Sequence, residues 1–236
     1  MKYYKTDSRK ISFREYWHLA PKSFLLAWLN KIKGKQMKLA RGIPEPQPFQ
    51  SRIIEANSIP PEILGQLNAH IRDLQGLGFD RFWFCSNRAS LVGAVAYMVV
   101  GLHSSRQIIA RIIYAWHKAR QRVVTDLSSR FHDGIILGTT NNDLYFNPLR
   151  NFIIQRKVGA RAEYLFEWHQ KKIAELSQTK TPQTFAGLEG VAAFEDELLR
   201  QIHDDRIKRG IWVEMTDAEV TTLREEPPKA HLVLPS

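Results

Sequence analysis

Between Phe79 and Thr140 the sequence offers five strand-like segments joined by links too short to hold a helix, and this limits the fold more than any other feature. The segments span about 79–86, 93–103, 107–117, 121–131 and 134–140. The fourth has the clearest period: Val123, Thr125, Leu127, Ser129 and Phe131 alternate with Arg122, Val124, Asp126, Ser128 and Arg130. Ser104-Ser105-Arg106 separates the second segment from the third, and Lys118-Ala119-Arg120 the third from the fourth. Asp133-Gly134 follows the fourth as the strongest hairpin signal. Parallel neighbours need crossovers of roughly a dozen residues or more, so links this short predict an antiparallel β-meander.

Phe152–Arg156 adds a further candidate, giving a sheet of five to six strands. Helical patterns flank it. Pro60-Pro61 opens one helix over Pro60–Leu77, with Ile63, Leu67, His70, Ile71 and Leu74 at helical spacing. Ala162, Leu165, Phe166, His169, Ile173 and Leu176 share one face of a second. A third runs over about Glu189–Arg209, and Gly210 stops it. A short strand at Ile211–Met215 and a capping box, Thr216 to Glu219, lead into the tail. The expected fold class is α+β: an antiparallel β-meander packed with helices.

Nearly all of the surplus positive charge sits at one end. Residues 1–52 hold twelve Lys and Arg against three acids, a net +9, while the whole chain carries +10. Such an end meets an anionic surface or an acidic partner. Beyond Pro21, Leu25, Trp28, Leu29 and Ile32 fall on one helical face. Lys22, Lys31, Lys33, Lys35 and Lys38 occupy much of the remainder, the pattern of a basic amphipathic helix. The stretch from Gly42 to Pro48 then has prolines at alternate positions, the composition of a semi-rigid spacer. The expected organisation is a basic helical arm over 1–41, a Pro-rich linker over 42–59 and a single α+β domain over 60–236.

Several function classes are excluded. With one cysteine, Cys85, the chain cannot form an internal disulfide or a Cys-based zinc site, and a reducing compartment is the simpler setting. The longest uncharged apolar run, Leu91–Leu102, has twelve residues, short of the ~20 that a spanning helix needs. The apolar run Phe24–Leu29 is too short for a secretory signal. A cytoplasmic protein, at most peripheral to a membrane, is expected, with no metal and no cofactor. The chain has no P-loop, GxGxxG, GxSxG or HExxH pattern.

The weak catalytic candidates are His132, Asp133 and Asn141. His132-Asp133-Gly134 reads first as a strand end and turn. Thr139–Asp143, which contains Asn141, reads as a strand-ending turn with enough polar groups to line a pocket. His169 reads as a core histidine, His203-Asp204-Asp205 as a solvated helix end, and Cys85 as a buried, inert thiol.

These features point to a non-enzymatic interaction protein whose arm attaches the body to an anionic membrane surface or an acidic protein partner. The five lysines supply the electrostatics, and Leu25, Trp28, Leu29 and Ile32 the apolar anchors. Nucleic acid bound by the same arm is the alternative, although the sheet has no RRM-type aromatic box. A third reading is an enzyme with a dispersed site, which requires a concave pocket with converging titratable groups near the 131–143 hairpin.

Overall fold

The computed structural model describes residues 1–13, 15, 29, 32, 41–88, 95–117, 120–142 and 149–225. Strands β3 (Phe79–Arg88), β4 (Val95–His103), β5 (Ile109–His117), β6 (Arg120–Arg130) and β7 (Ile136–Thr140) pair antiparallel in chain order. The short links dictate this arrangement. At Asp133-Gly134 the glycine takes φ 82°, and its amide donates to the Phe131 carbonyl at 2.9 Å.

The last strand, β8 (Phe152–Arg156), departs from the meander. It joins the β7 edge in parallel, with Ile136 opposite Phe152 and Thr140 opposite Arg156. The six-stranded sheet is therefore mixed, which corrects the expectation of an all-antiparallel one. The cause is the length of the connection. Residues 141–151 are enough chain to return to the end of the sheet where β7 began, which a hairpin turn cannot do.

Helices cover both faces. On one, α2 (Pro61–Gly76) and α3 (Ala162–Leu176) bury Ile63, Leu67, Leu74, Leu165 and Phe166 against Val99, Ala110, Ile112 and Leu127. On the other, α1 (Phe49–Arg52) and α4 (Gly187–Lys208) bury Phe49, Val191, Phe194 and Leu198 against Met98, Val100, Leu102 and Ile109. Alternation along the strands supplies two apolar faces, and each needs a helical cover.

A second, three-stranded sheet stands beside this body. Its central strand is β1 (Tyr3–Thr6), antiparallel both to β2 (Arg41–Pro44) and to β9 (Trp212–Glu214). The last helix, α5 (Asp217–Glu225), packs Leu223 against Tyr3 and Met215. Tyr4 meets His203 of α4 edge-on, with ring centroids 4.9 Å apart.

The segment read as an arm thus opens with β1 and ends at β2, and the stretch read as a linker carries β2 and α1. Phe49 of α1 is completely buried. The lysine-rich stretch read as a helix, with Lys22, Leu25, Trp28, Lys31, Lys33, Lys35 and Lys38, lies outside the described residues. Leu29 and Ile32 are described and are 39% and 62% exposed. Among the described residues no helix is long and apolar enough to cross a membrane.

Candidate functional site

Strand register assembles the site. Arg111 pairs with Asp126, Asp126 with Thr140, and Thr140 with Arg156, so four polar residues form one row across β5, β6, β7 and β8. Partners in a ladder project from the same face of the sheet. Here that face is the one α4 covers, since Arg111 bonds Glu195 of that helix. The adjacent row on the same face is Ile109, Ser128, Gly138 and Ile154. Above them, α4 presents Leu198, Ile202 and Arg206, each four residues from the last and so on one helical stripe. Helix and sheet border an open cavity of about 280 Å³. Its apolar side is completed by Leu149, Phe152 and Ile154.

Gly138 forms part of the cavity floor, and packing does not explain it. Its φ is not in the left-handed region. A Cβ added there would meet only Ile154 Cγ1 at 3.8 Å and the Ile153 carbonyl oxygen at 4.0 Å, both ordinary contacts. Gly101 in β4 is different. A Cβ there would lie 2.9 Å from Phe82 Cε1, so the aromatic ring requires that glycine. At Gly138 the missing side chain leaves empty volume.

The charges around the cavity are held from behind. Arg111 Nε donates to Glu195 Oε1 at 2.7 Å, and Nη1 donates to Ser128 Oγ at 2.8 Å. Both members of the Arg111–Glu195 pair are buried. Burial works against the Arg111 charge, but the Glu195 carboxylate outweighs it and holds the guanidinium above its ordinary pKa. Asp126 accepts a hydrogen bond from the Thr140 hydroxyl. Burial pushes its carboxyl above the usual range, against the opposing pull of that bond and of Arg111 and Arg156. Arg206 Nη1 donates to Glu15 Oε1 at 3.0 Å, and Arg209 Nη1 reaches the same oxygen at 3.1 Å. Glu15 is fully buried. Burial, the largest influence, lowers the Arg206 pKa, while Glu15 pulls it back up. Such a site can grip a ligand through charge-assisted hydrogen bonds at one side and apolar contact at the other.

The sequence candidates fall elsewhere. His132 and Asp133 are exposed at the β6–β7 turn. Asp133 accepts from the Ile135 amide at 3.2 Å and pairs with Lys180, whose hydrogen bond holds its carboxyl below the usual range. Asn141 follows the opposite end of β7. Its Oδ1 accepts from the Thr125 amide at 2.8 Å, and its Nδ2 donates to the Ala160 carbonyl at 3.0 Å, ties that join β6 to the start of α3. These three residues are not brought together. The cavity meets the 131–143 hairpin along Gly138, Thr139, Thr140 and Asn142, away from the His132-Asp133 turn.

His169 lies on the other side of the sheet, fully buried, with Thr139 Oγ1 at 2.8 Å from Nδ1 and Ser129 Oγ at 3.0 Å from Nε2. Burial drives its pKa down to about 3, so it is a neutral core histidine. His203 Nδ1 lies 3.4 Å from Asp204 Oδ1. Cys85 is buried, and that burial lifts its thiol pKa to about 12. Among the described residues no three His, Cys, Asp or Glu side chains gather in a metal-binding cluster.

The Thr139–Asp143 stretch, expected from its polar groups to be able to line a pocket, supplies Thr139, Thr140 and Asn142 to the cavity. Nothing in the sequence pattern marks Asp126, Arg156 or the α4 residues, and for Arg111 there is one signal. Arg111 stands inside the apolar run Ile108–Tyr114, where a buried strand carries a charge only if something pairs with it. Comparison with protein-family models, curated proteins and solved structures finds no match.

Proposed function

We propose that this protein binds a small organic molecule in the cavity between strands β5–β8 and α4. Gly138 carries the reading. A glycine inside a strand costs roughly 0.5–1 kcal/mol relative to alanine, and it marks places where a ligand or another backbone comes close. Neither backbone conformation nor a neighbouring side chain demands it here. The polar row beside an apolar wall is the usual composition of a small-molecule site.

The test fills the cavity. Gly138→Leu adds a side chain where a Cβ has only ordinary contacts. Thermal melting is measured for both proteins against a panel of small metabolites. A compound that raises the melting temperature of the natural protein and not of Gly138→Leu supports the reading. If every compound acts equally on both, or none acts, the reading is lost.

A second reading concerns the basic end of the chain: attachment of the body to an anionic membrane surface. The exposure of Ile32, and in part of Leu29, favours it, because apolar surface on both is left open to solvent. The expected result is co-sedimentation with anionic vesicles, weakened at low salt by glutamine at Lys31, Lys33, Lys35 and Lys38, and weakened even at high salt by Trp28→Ala. Binding to nucleic acid instead, falling steeply with salt and indifferent to Trp28→Ala, would replace the membrane by a phosphate backbone.

A further inference from the structure

We infer that the molecule this cavity takes is an amphipathic anion, its charged head over the Arg111–Asp126–Thr140–Arg156 row and its apolar part along α4 and β8. The inference rests on the cavity reading and narrows it to a ligand class.

Three guanidinium groups line the cavity, those of Arg111, Arg156 and Arg206, against the single carboxyl of Asp126. The acids that hold two of them sit behind the lining: Glu195 grips Arg111 and Glu15 grips Arg206. Positive groups are thereby fixed in position facing the space, which spares a ligand the cost of ordering them. Planar guanidinium groups match carboxylate and phosphate oxygens. Asp126 does not reverse this bias, since burial favours its neutral form and Thr140 already occupies one of its oxygens.

The apolar half has its own geometry. Leu198 and Ile202 hang from α4, while Phe152 and Ile154 rise from alternate positions of β8. Arg156 continues the same alternation, so head and tail contacts share one strand. The side chains thus grade from charged to apolar along β8. A uniformly polar ion such as free phosphate would leave that wall unused, and a neutral hydrocarbon would leave the guanidinium groups facing it.

The experiment compares three probes of equal chain length by titration calorimetry below their micellar concentrations: decanoate, 1-decanol and decyltrimethylammonium. Decanoate is expected to bind the natural protein at least about ten-fold more tightly than decanol, the size of a charge-assisted bond, with decyltrimethylammonium weakest. Gly138→Leu should abolish decanoate binding. Arg156→Met, folded by circular dichroism, should weaken decanoate about ten-fold or more and leave decanol unchanged. Decyl phosphate in place of decanoate separates the two kinds of anionic head.

Equal binding of decanoate and decanol, lost in Gly138→Leu, would overturn the anion assignment and keep the cavity as a site. Preference for the cation, or binding by none of the three, would also overturn it. Decanoate binding that survives Gly138→Leu would place the anion elsewhere on the molecule and overturn the inference as well.

Discussion

A single charged residue inside an apolar strand decides how the cavity is built. Arg111 is legible in the sequence as an interruption, but its partner is not. Glu195 sits in the run Phe194-Glu195-Asp196-Glu197, and nothing in that local pattern marks one acid as buried. Only the packing of α4 onto β5 selects it, and sequence periodicity holds no information about which strand a helix face meets. The two acids should therefore behave very differently. Glu195→Ala leaves a buried guanidinium without its counter-charge and is expected to cost about 3–5 kcal/mol. Glu197→Ala breaks a half-exposed pair with Arg130 and should cost at most about 1 kcal/mol. The double change Arg111→Met with Glu195→Leu, which removes both charges, should recover most of the loss. Urea unfolding of the variants checks this. Similar costs for Glu195→Ala and Glu197→Ala would contradict the buried pair.

At the scale of elements, the β6–β7 hairpin is the part the sequence describes best, because Asp133-Gly134 and the period-two alternation of β6 are both local signals. The direction of β8 is not local. It depends on where the 141–151 connection leads the chain, and composition is silent on that. The hairpin also joins the two sides of the sheet. Thr140 faces the cavity, while its neighbour Thr139 holds His169 on the α3 side together with Ser129. Read from the pattern, His169 is a core histidine, and so it is.

Its burial has a pH consequence. The folded protein holds His169 neutral down to about pH 3, whereas an unfolded chain protonates histidine near 6.5. The folded state thus binds fewer protons, so this contribution is present above about pH 6.5 and is lost as pH falls toward 3. At about 1.4 kcal/mol per pH unit, the loss amounts to several kcal/mol across that window. His169→Gln should be less stable than the natural protein at pH 7 and should lose less stability on acidification. Denaturant unfolding at several pH values between 7 and 3 reads out the difference. Parallel decline of the two proteins would mean that other groups govern the acid transition.

For the molecule as a whole, the charge asymmetry is plain from the sequence, but the attachment of the basic segment to the body is not. β1 is the central strand of the small sheet, and its partners are β2, which lies beyond the lysine-rich stretch, and β9, near the other end of the described chain. Four-residue strands of this kind carry little signal of their own. Their pairing comes from a tertiary arrangement that brings residues about two hundred positions apart together. Removing residues 1–41 would therefore take away a structural strand as well as the lysine-rich stretch, and substitution within the segment is the cleaner probe of its function.

Glu15 makes the same point more sharply. It belongs to the basic segment, yet it is fully buried and binds Arg206 and Arg209 at the end of α4. Ser12 donates its amide and hydroxyl to the same carboxylate at 3.0 and 2.8 Å. Since Arg206 lines the cavity, Glu15 of the basic segment and the wall of the proposed site share one ion-pair network. Glu15→Gln leaves two guanidinium groups around a neutral amide and should destabilise the fold by about 3–5 kcal/mol. Ser12→Ala, which keeps the charge and removes one hydroxyl donor, should cost about 1 kcal/mol. Limited proteolysis should then cut the amino-terminal segment faster in Glu15→Gln than in Ser12→Ala, and decanoate affinity should fall with it as Arg206 loses its support. A Glu15→Gln protein with unchanged unfolding and proteolysis would show that the amino-terminal segment and the cavity wall are independent.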